Sequence, residues 1–200
     1  MFAIIEAAGW PVWPLIIASI LALAIIGERF WSLRRSAVVP RGLLVQVVQE
    51  YRQNGANEAM VARLAAGSPL GQVFAAGLRQ VKSTPAVMKE AIEETGRSVG
   101  HELERFLTTL GTIAAMSPLL GLLGTVIGMI EIFGSQTPSG SNPIVLAHGI
   151  SIALYNTALG LIVAIPSMIF YRHFRGLVDS YLVEMESQAI KLVETLHGER

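Results

Sequence analysis

The sequence predicts an all-α integral membrane protein, with three transmembrane helices and long cytoplasmic helical extensions. Three observations carry that prediction. Residues 7–27, 106–130 and 132–171 hold no Asp, Glu, Lys or Arg, in runs of 21, 25 and 40 residues, and about 20 helical residues cross a hydrocarbon core about 30 Å thick. Only 15% of the 200 residues are charged, where a soluble domain carries about a quarter. No segment shows the apolar-polar alternation of a strand, and no internal repeat is present.

The first element covers residues 1–31, an N-terminal end followed by a span. Trp10 and Trp13 stand at its start and Trp31 at its finish, as in an interfacial aromatic belt. A cleaved signal peptide is the rival reading, but its basic segment precedes the apolar run. Here Arg29, Arg34 and Arg35 follow it, so the segment reads as a retained anchor.

Residues 32–105 are too polar for lipid yet keep apolar residues at helical spacing, as in Leu43, Leu44, Val47, Val48 and Tyr51. They read as a helical domain broken at Asn54-Gly55, Gly67-Ser68-Pro69 and Ser83-Thr84-Pro85, the last an N-cap followed by proline at the first helical position. From Thr84 no further breaker precedes the second span, residues 106–133. One helix over 84–133 would be about 75 Å long. Residues 134–143 carry two prolines, two glycines and small polar residues. They form a short aqueous loop, because bare backbone is not tolerated in lipid. The third span, residues 144–171, continues into a C-terminal helix over 172–200.

All 15 basic residues lie at or beyond Arg29, and none lies in the 134–143 loop. The positive-inside rule then puts the N-terminus and that loop outside and the C-terminus inside. The absence of cysteine excludes disulfides and thiol chemistry. Fifteen acidic against 15 basic side chains give no net charge, hence no reason to expect nucleic acid.

Chemistry inside the spans is carried by small and hydroxyl residues. Ser117, Gly121 and Thr125 recur every four residues, and Gly124 and Gly128 form a GxxxG pair. On the third span Gly149, Ala153, Thr157 with Asn156 beside it, Gly160 and Ala164 make a matching stripe. Close helix packing is the default reading for the glycines. Thr125 could bond back to the carbonyl of Gly121 on its own helix, and Asn156 needs a partner helix or water. His148 is five residues past Pro143 and reads as interfacial. Gly121 to Gly128 lacks the Lys-Ser/Thr ending of a phosphate loop. His101, His173 and His197 lack ligand spacing. No catalytic triad converges, so no enzyme, metal or cofactor is expected.

Residues 117–128, SPLLGLLGTVIG, and 149–166, GISIALYNTALGLIVAIP, resemble the second-span and third-span signatures of the MotA/TolQ/ExbB proton-channel family. The Glu28-Arg29 ending of the first span and the large loop after it agree. Three spans and a short chain resemble the ExbB/TolQ branch more than MotA. The resemblance implies a bacterial inner-membrane stator subunit. A homopentamer would surround a pair of ExbD- or TolR-like single-span proteins and drive a TonB- or TolA-like protein with the proton-motive force. It assigns Thr125 and Thr157 to the proton path, facing an aspartate of the partner. Ser117, Gly121, Gly128, Ala153, Asn156 and Gly160 would then face the partner helix or pore. Many relatives carry glutamate at the position of Ile152, so the titrating group would here belong wholly to the partner.

Two roles share these motifs: ExbB-like energising of TonB-dependent outer-membrane uptake, and a TolQ-like part in Tol-Pal envelope constriction. A non-conducting scaffold is the structural alternative. A transporter with its own substrate site lacks the repeated halves such proteins use. Arg29, Arg34, Arg35, Arg172 and Arg175 could meet anionic lipid headgroups, though ordinary topology signals explain the same arginines.

Overall fold

The computed structural model of the chain describes residues 10–134 and 143–198. Among them the fold is nearly all helix, in eight elements: α1 Val12–Ser32, α2 Arg35–Val38, α3 Leu43–Asn54, α4 Glu58–Gly67, α5 Pro69–Arg79, α6 Pro85–Leu103, α7 Leu107–Gly134 and α8 Pro143–His197. Three helices are long and apolar enough to cross a membrane: α1, α7 and the part of α8 that begins at Gly149. Most of the expected 134–143 loop and the first nine residues lie outside the described residues.

The chain divides into two compact units, and α8 contributes to both. The apolar unit comprises Met1–Glu28 and Phe106–His173. Its apolar residues point outward as well as inward: Ile20 and Leu23 on α1, Leu119 and Ile130 on α7, and Ile162 and Ile169 on α8 are all exposed. In water that surface would be prohibitive; against acyl chains it is the expected one. Inside, α7 and α8 meet along their small residues.

The polar unit comprises Arg29–Arg105 and Phe174–Arg200. Here charge, Arg29 excepted, lies on the surface and the core is built from Met60, Leu70, Phe74, Leu78 and Met88 with Phe174, Val178 and Leu192 of α8. Turn chemistry sets the helix ends. Gly55, at φ 64°, closes α3, and the Asn57 side chain accepts the Met60 N–H at the start of α4. Ser68 accepts the Gly71 N–H ahead of Pro69, and Thr84 caps α6 ahead of Pro85. Gly77 lets α5 close on α6, since a Cβ there would stand 2.9 Å from the Ile92 side chain.

The helix expected over residues 84–133 is in fact two helices. Glu104 caps α6, and Phe106 takes a left-handed φ of 64° before α7 begins. Phenylalanine has no local preference for that conformation. The break is held by tertiary contacts: the Arg29 guanidinium, only 5% exposed, donates from Nη1 to the Leu103 carbonyl at 3.2 Å. That places a cation on the carbonyls of a helix C-terminus. Phe30 and Phe174 stack edge to face, with ring centroids 5.2 Å apart. The Tyr181 hydroxyl donates to the Leu33 carbonyl just past α1, at 2.9 Å. α8, by contrast, is continuous from Pro143 to His197, through the interior Pro166.

Candidate functional site: the α7–α8 seam

The seam between α7 and α8 is closed by glycine. A Cβ on Gly121 would stand 2.7 Å from the Asn156 carbonyl oxygen and 3.0 Å from the Thr157 Cα, and one on Gly160 would stand 2.6 Å from the Ser117 carbonyl. Both obstacles are main chain and cannot swing aside. Gly124 receives the Asn156 side chain, whose Cβ would lie 2.9 Å from an added methyl, and Gly128 faces Ala153 at an ordinary 3.4 Å. Without a hydrophobic reward between helices in lipid, such backbone proximity is what joins them. The contact continues at both ends, where the Tyr171 ring covers Gly111 and Ile132 covers Gly149.

Ser117, Gly121, Ala153, Asn156 and Gly160 are therefore buried between two helices of the same chain, and Gly128 is half-buried at the edge of that seam. The helix they face in this structure is the chain's own. Ser117 is fully buried and donates to the Ile113 carbonyl at 2.7 Å, one turn back on its own helix. Ser167 of α8 does the same with Val163 at 2.7 Å.

Thr125 and Thr157 stand apart from that pattern. They are half-buried, and their hydroxyl oxygens meet across the seam at 2.5 Å. Thr125 Oγ1 lies 3.2 Å from the Gly121 carbonyl and 3.1 Å from the Ala153 carbonyl. Thr157 Oγ1 lies 3.4 Å from the Gly121 carbonyl. Two hydroxyls and two main-chain oxygens thus converge on one spot. The Gly121 carbonyl is the back-bonding acceptor expected for Thr125 from the sequence, whereas the Ala153 carbonyl, on the other helix, has no residue signature there. These groups donate and accept hydrogen bonds but hold no charge near neutral pH.

The ionisable residues sit elsewhere. Glu28 and Glu131 are exposed near the ends of α1 and α7. The side chains of His148 and Ile152 lie outside those described. Among the described residues no three His, Asp or Glu side chains are grouped to hold a metal ion. The polar unit has a cleft of about 500 Å³ lined by Glu93, Gly96, Arg97, His101 and Leu182 among others. His101 is exposed there, and Glu104 at its edge pairs with Arg175 at 3.6 Å.

Residues 65–187 match the model of the MotA/TolQ/ExbB proton channel family. That stretch contains α7, the described seam and most of the polar unit. A putative biopolymer transport protein ExbB-like 3 of Synechocystis is 34% identical over 190 residues, covering 90% of this chain and 88% of its own. The biopolymer transport protein exbB1 of Vibrio cholerae is 32% identical over 168 residues, covering 82% of this chain and 74% of its own. The Tol-Pal system protein TolQ of Pseudomonas aeruginosa is 32% identical over 165 residues, covering 76% of this chain and 64% of its own. With its apolar spans, its glycine-closed seam and a match over more than half its length, the chain belongs to the MotA/TolQ/ExbB proton channel family.

Proposed function

We propose that this chain is the ExbB-like proton-channel subunit of an inner-membrane motor. A homopentamer encloses a pair of single-span, aspartate-bearing ExbD-like proteins, and the proton-motive force energises TonB-dependent outer-membrane transport. The N-terminus is periplasmic and the C-terminus cytoplasmic, as the distribution of Lys and Arg favours. The subunit conducts and positions and performs no catalysis. The observation that carries the reading is the Thr125–Thr157 hydroxyl pair between two spans that have no carboxylate near their middles.

Threonines can line a proton route but cannot store the proton, so the titrating group sits on the partner. Moving a charge through the membrane potential yields about 2.3 kcal/mol per 100 mV, which does work only if a protonatable group alternates between exposed and shielded positions. The seam residues Ser117, Gly121, Gly128, Ala153, Asn156 and Gly160 hold the two threonines in register and bring that face toward the partner helix. Outside the spans, Arg34 and Arg35 lie where anionic lipid headgroups would meet them.

A TolQ-like role in the Tol-Pal system is the second reading, favoured by the likeness to the Pseudomonas aeruginosa protein. Neighbouring genes for TonB-type or Tol-Pal components separate the two. The experiment for both is proton flux into liposomes, with the chain alone and with its co-expressed single-span partner, alongside the mass of the purified complex. Flux that requires the partner, from a complex of five copies to two, supports the motor. Robust flux from the chain alone, or no flux from a correctly assembled complex, removes it; the latter leaves the scaffold reading.

A further inference from the structure

Six hydroxyl side chains of the two long apolar helices fall into two groups. Thr112, Ser117, Ser151 and Ser167 each donate to the carbonyl four residues back on their own helix, at 2.7 to 3.0 Å. That is sufficient to satisfy a hydroxyl in lipid. Thr125 also lies 3.2 Å from the carbonyl four residues back, that of Gly121, but it and Thr157 in addition share acceptors across the seam. The carbonyl four residues before Thr157 is that of Ala153, and Thr125 reaches it at 3.1 Å; the one four residues before Thr125 is that of Gly121, and Thr157 reaches it at 3.4 Å. Each hydroxyl can use the acceptor that the other helix would ordinarily supply to its own threonine.

Each hydroxyl has one proton, and either oxygen can be the donor in the 2.5 Å contact. Two kinds of arrangement follow, according to which hydroxyl donates to the other. In one, Thr157 donates to Thr125 and Thr125 donates to the Ala153 carbonyl at 3.1 Å or the Gly121 carbonyl at 3.2 Å. In the other, Thr125 donates to Thr157 and Thr157 donates to the Gly121 carbonyl. Rotation about two C–O bonds interconverts them, with every proton kept on its own oxygen and no heavy atom displaced.

The arrangements differ in what Thr157 offers outward. In the first its lone pairs are open, which suits the O–H of a neutral carboxylic acid. In the second its proton is held only by the longest of these contacts and can turn to a carboxylate. We propose that Thr125 and Thr157 form a two-state hydrogen-bond switch that accommodates both protonation states of a carboxyl group brought against Thr157, with the Ala153 and Gly121 carbonyls as its resting acceptors. This rests on the proton-channel reading above and adds that the two hydroxyls act as one unit. Apolar replacement of either should then disable the pair.

The test uses the full chain in complex with its acid-bearing partner, in liposomes under an imposed proton gradient. Thr125→Val and Thr157→Val are each expected to lower flux by about tenfold, and the double variant no further than either single one. Thr125→Ser and Thr157→Ser restore the hydroxyl and are expected to recover flux to within about threefold of the parent, with an unchanged pH profile. Losses that multiply in the double variant overturn the switch while leaving the channel reading intact. If the valine variants fail to assemble, the serine variants decide: a complex of parental mass with flux as low as about a tenth of the parent's also overturns it. Absence of flux in the parent complex overturns both readings.

Discussion

Gly121 and Gly160 face each other across the α7–α8 seam, and neither has room for a β-carbon: one would press on the Asn156 carbonyl at 2.7 Å, the other on the Ser117 carbonyl at 2.6 Å. Each therefore fixes the distance between the helices that present Thr125 and Thr157. Gly121→Ala and Gly160→Ala should each destabilise the apolar unit by about 1–3 kcal/mol, the usual cost of overpacking. Gly128→Ala is the control, since its methyl would meet Ala153 at an ordinary 3.4 Å. Thermal unfolding of the detergent-solubilised protein should rank the first two well below the third. Equal midpoints for all three would contradict this account of the seam.

Arg29 closes α6 from outside the helix, through the Leu103 carbonyl. Arg29→Met keeps the bulk of the side chain and removes the charge-assisted donor. It should cost about 1.5–3 kcal/mol, the range for hydrogen bonds to charged groups. Chemical denaturation followed by helical circular dichroism measures it. A change under about 0.5 kcal/mol would place the Phe106 turn under some other control.

Tyr181 makes alkaline stability measurable. Burial pushes its phenol above the ordinary tyrosine value; Arg35 opposes that and Glu184 adds to it. A folded-state pKa above the unfolded one gives stability that is fully present below the unfolded value and lost as pH rises through the folded value. Unfolding free energy should therefore fall above about pH 10, and fall less steeply in Tyr181→Phe. At neutral pH the same variant should cost about 1 kcal/mol, because the Leu33 carbonyl loses its donor. Parallel pH profiles for parent and variant would remove Tyr181 from the linkage.

Ser68 is 8% exposed and caps α5 through the Gly71 N–H at 3.1 Å. Ser68→Ala should cost about 1 kcal/mol, and Ser68→Asp should recover most of it. Denaturant midpoints with unchanged slopes are the readout.

Which of these features were legible in the sequence depends on where their causes lie. Stretches without charge gave α1, α7 and α8, because solvation in lipid leaves a compositional mark on every residue of a span. Asn54-Gly55, Ser68-Pro69 and Thr84-Pro85 marked helix ends, because caps and turns are local chemistry. The break at Phe106 was missed for the opposite reason: the group that closes α6 before it, the Arg29 guanidinium, lies 74 positions from its acceptor Leu103. Spacing identified the small-residue stripes of α7 and α8, but the same period serves a seam within one chain and a contact between chains. It could not say which helix Ser117, Gly121, Asn156 and Gly160 face. Nor could it find the Ala153 carbonyl beside the threonine pair, although four-residue back-bonding did point Thr125 to Gly121.

The middle of the seam is furnished with hydroxyls, an amide and main-chain carbonyls, and between Leu107 and Ile130 of α7 with no formal charge. A transmembrane voltage has nothing to pull on there. On the reading proposed above, the lining is an uncharged sleeve: substitutions in it would alter the height of the barrier a proton meets, while the steepness of voltage dependence would be set by the partner's titrating group.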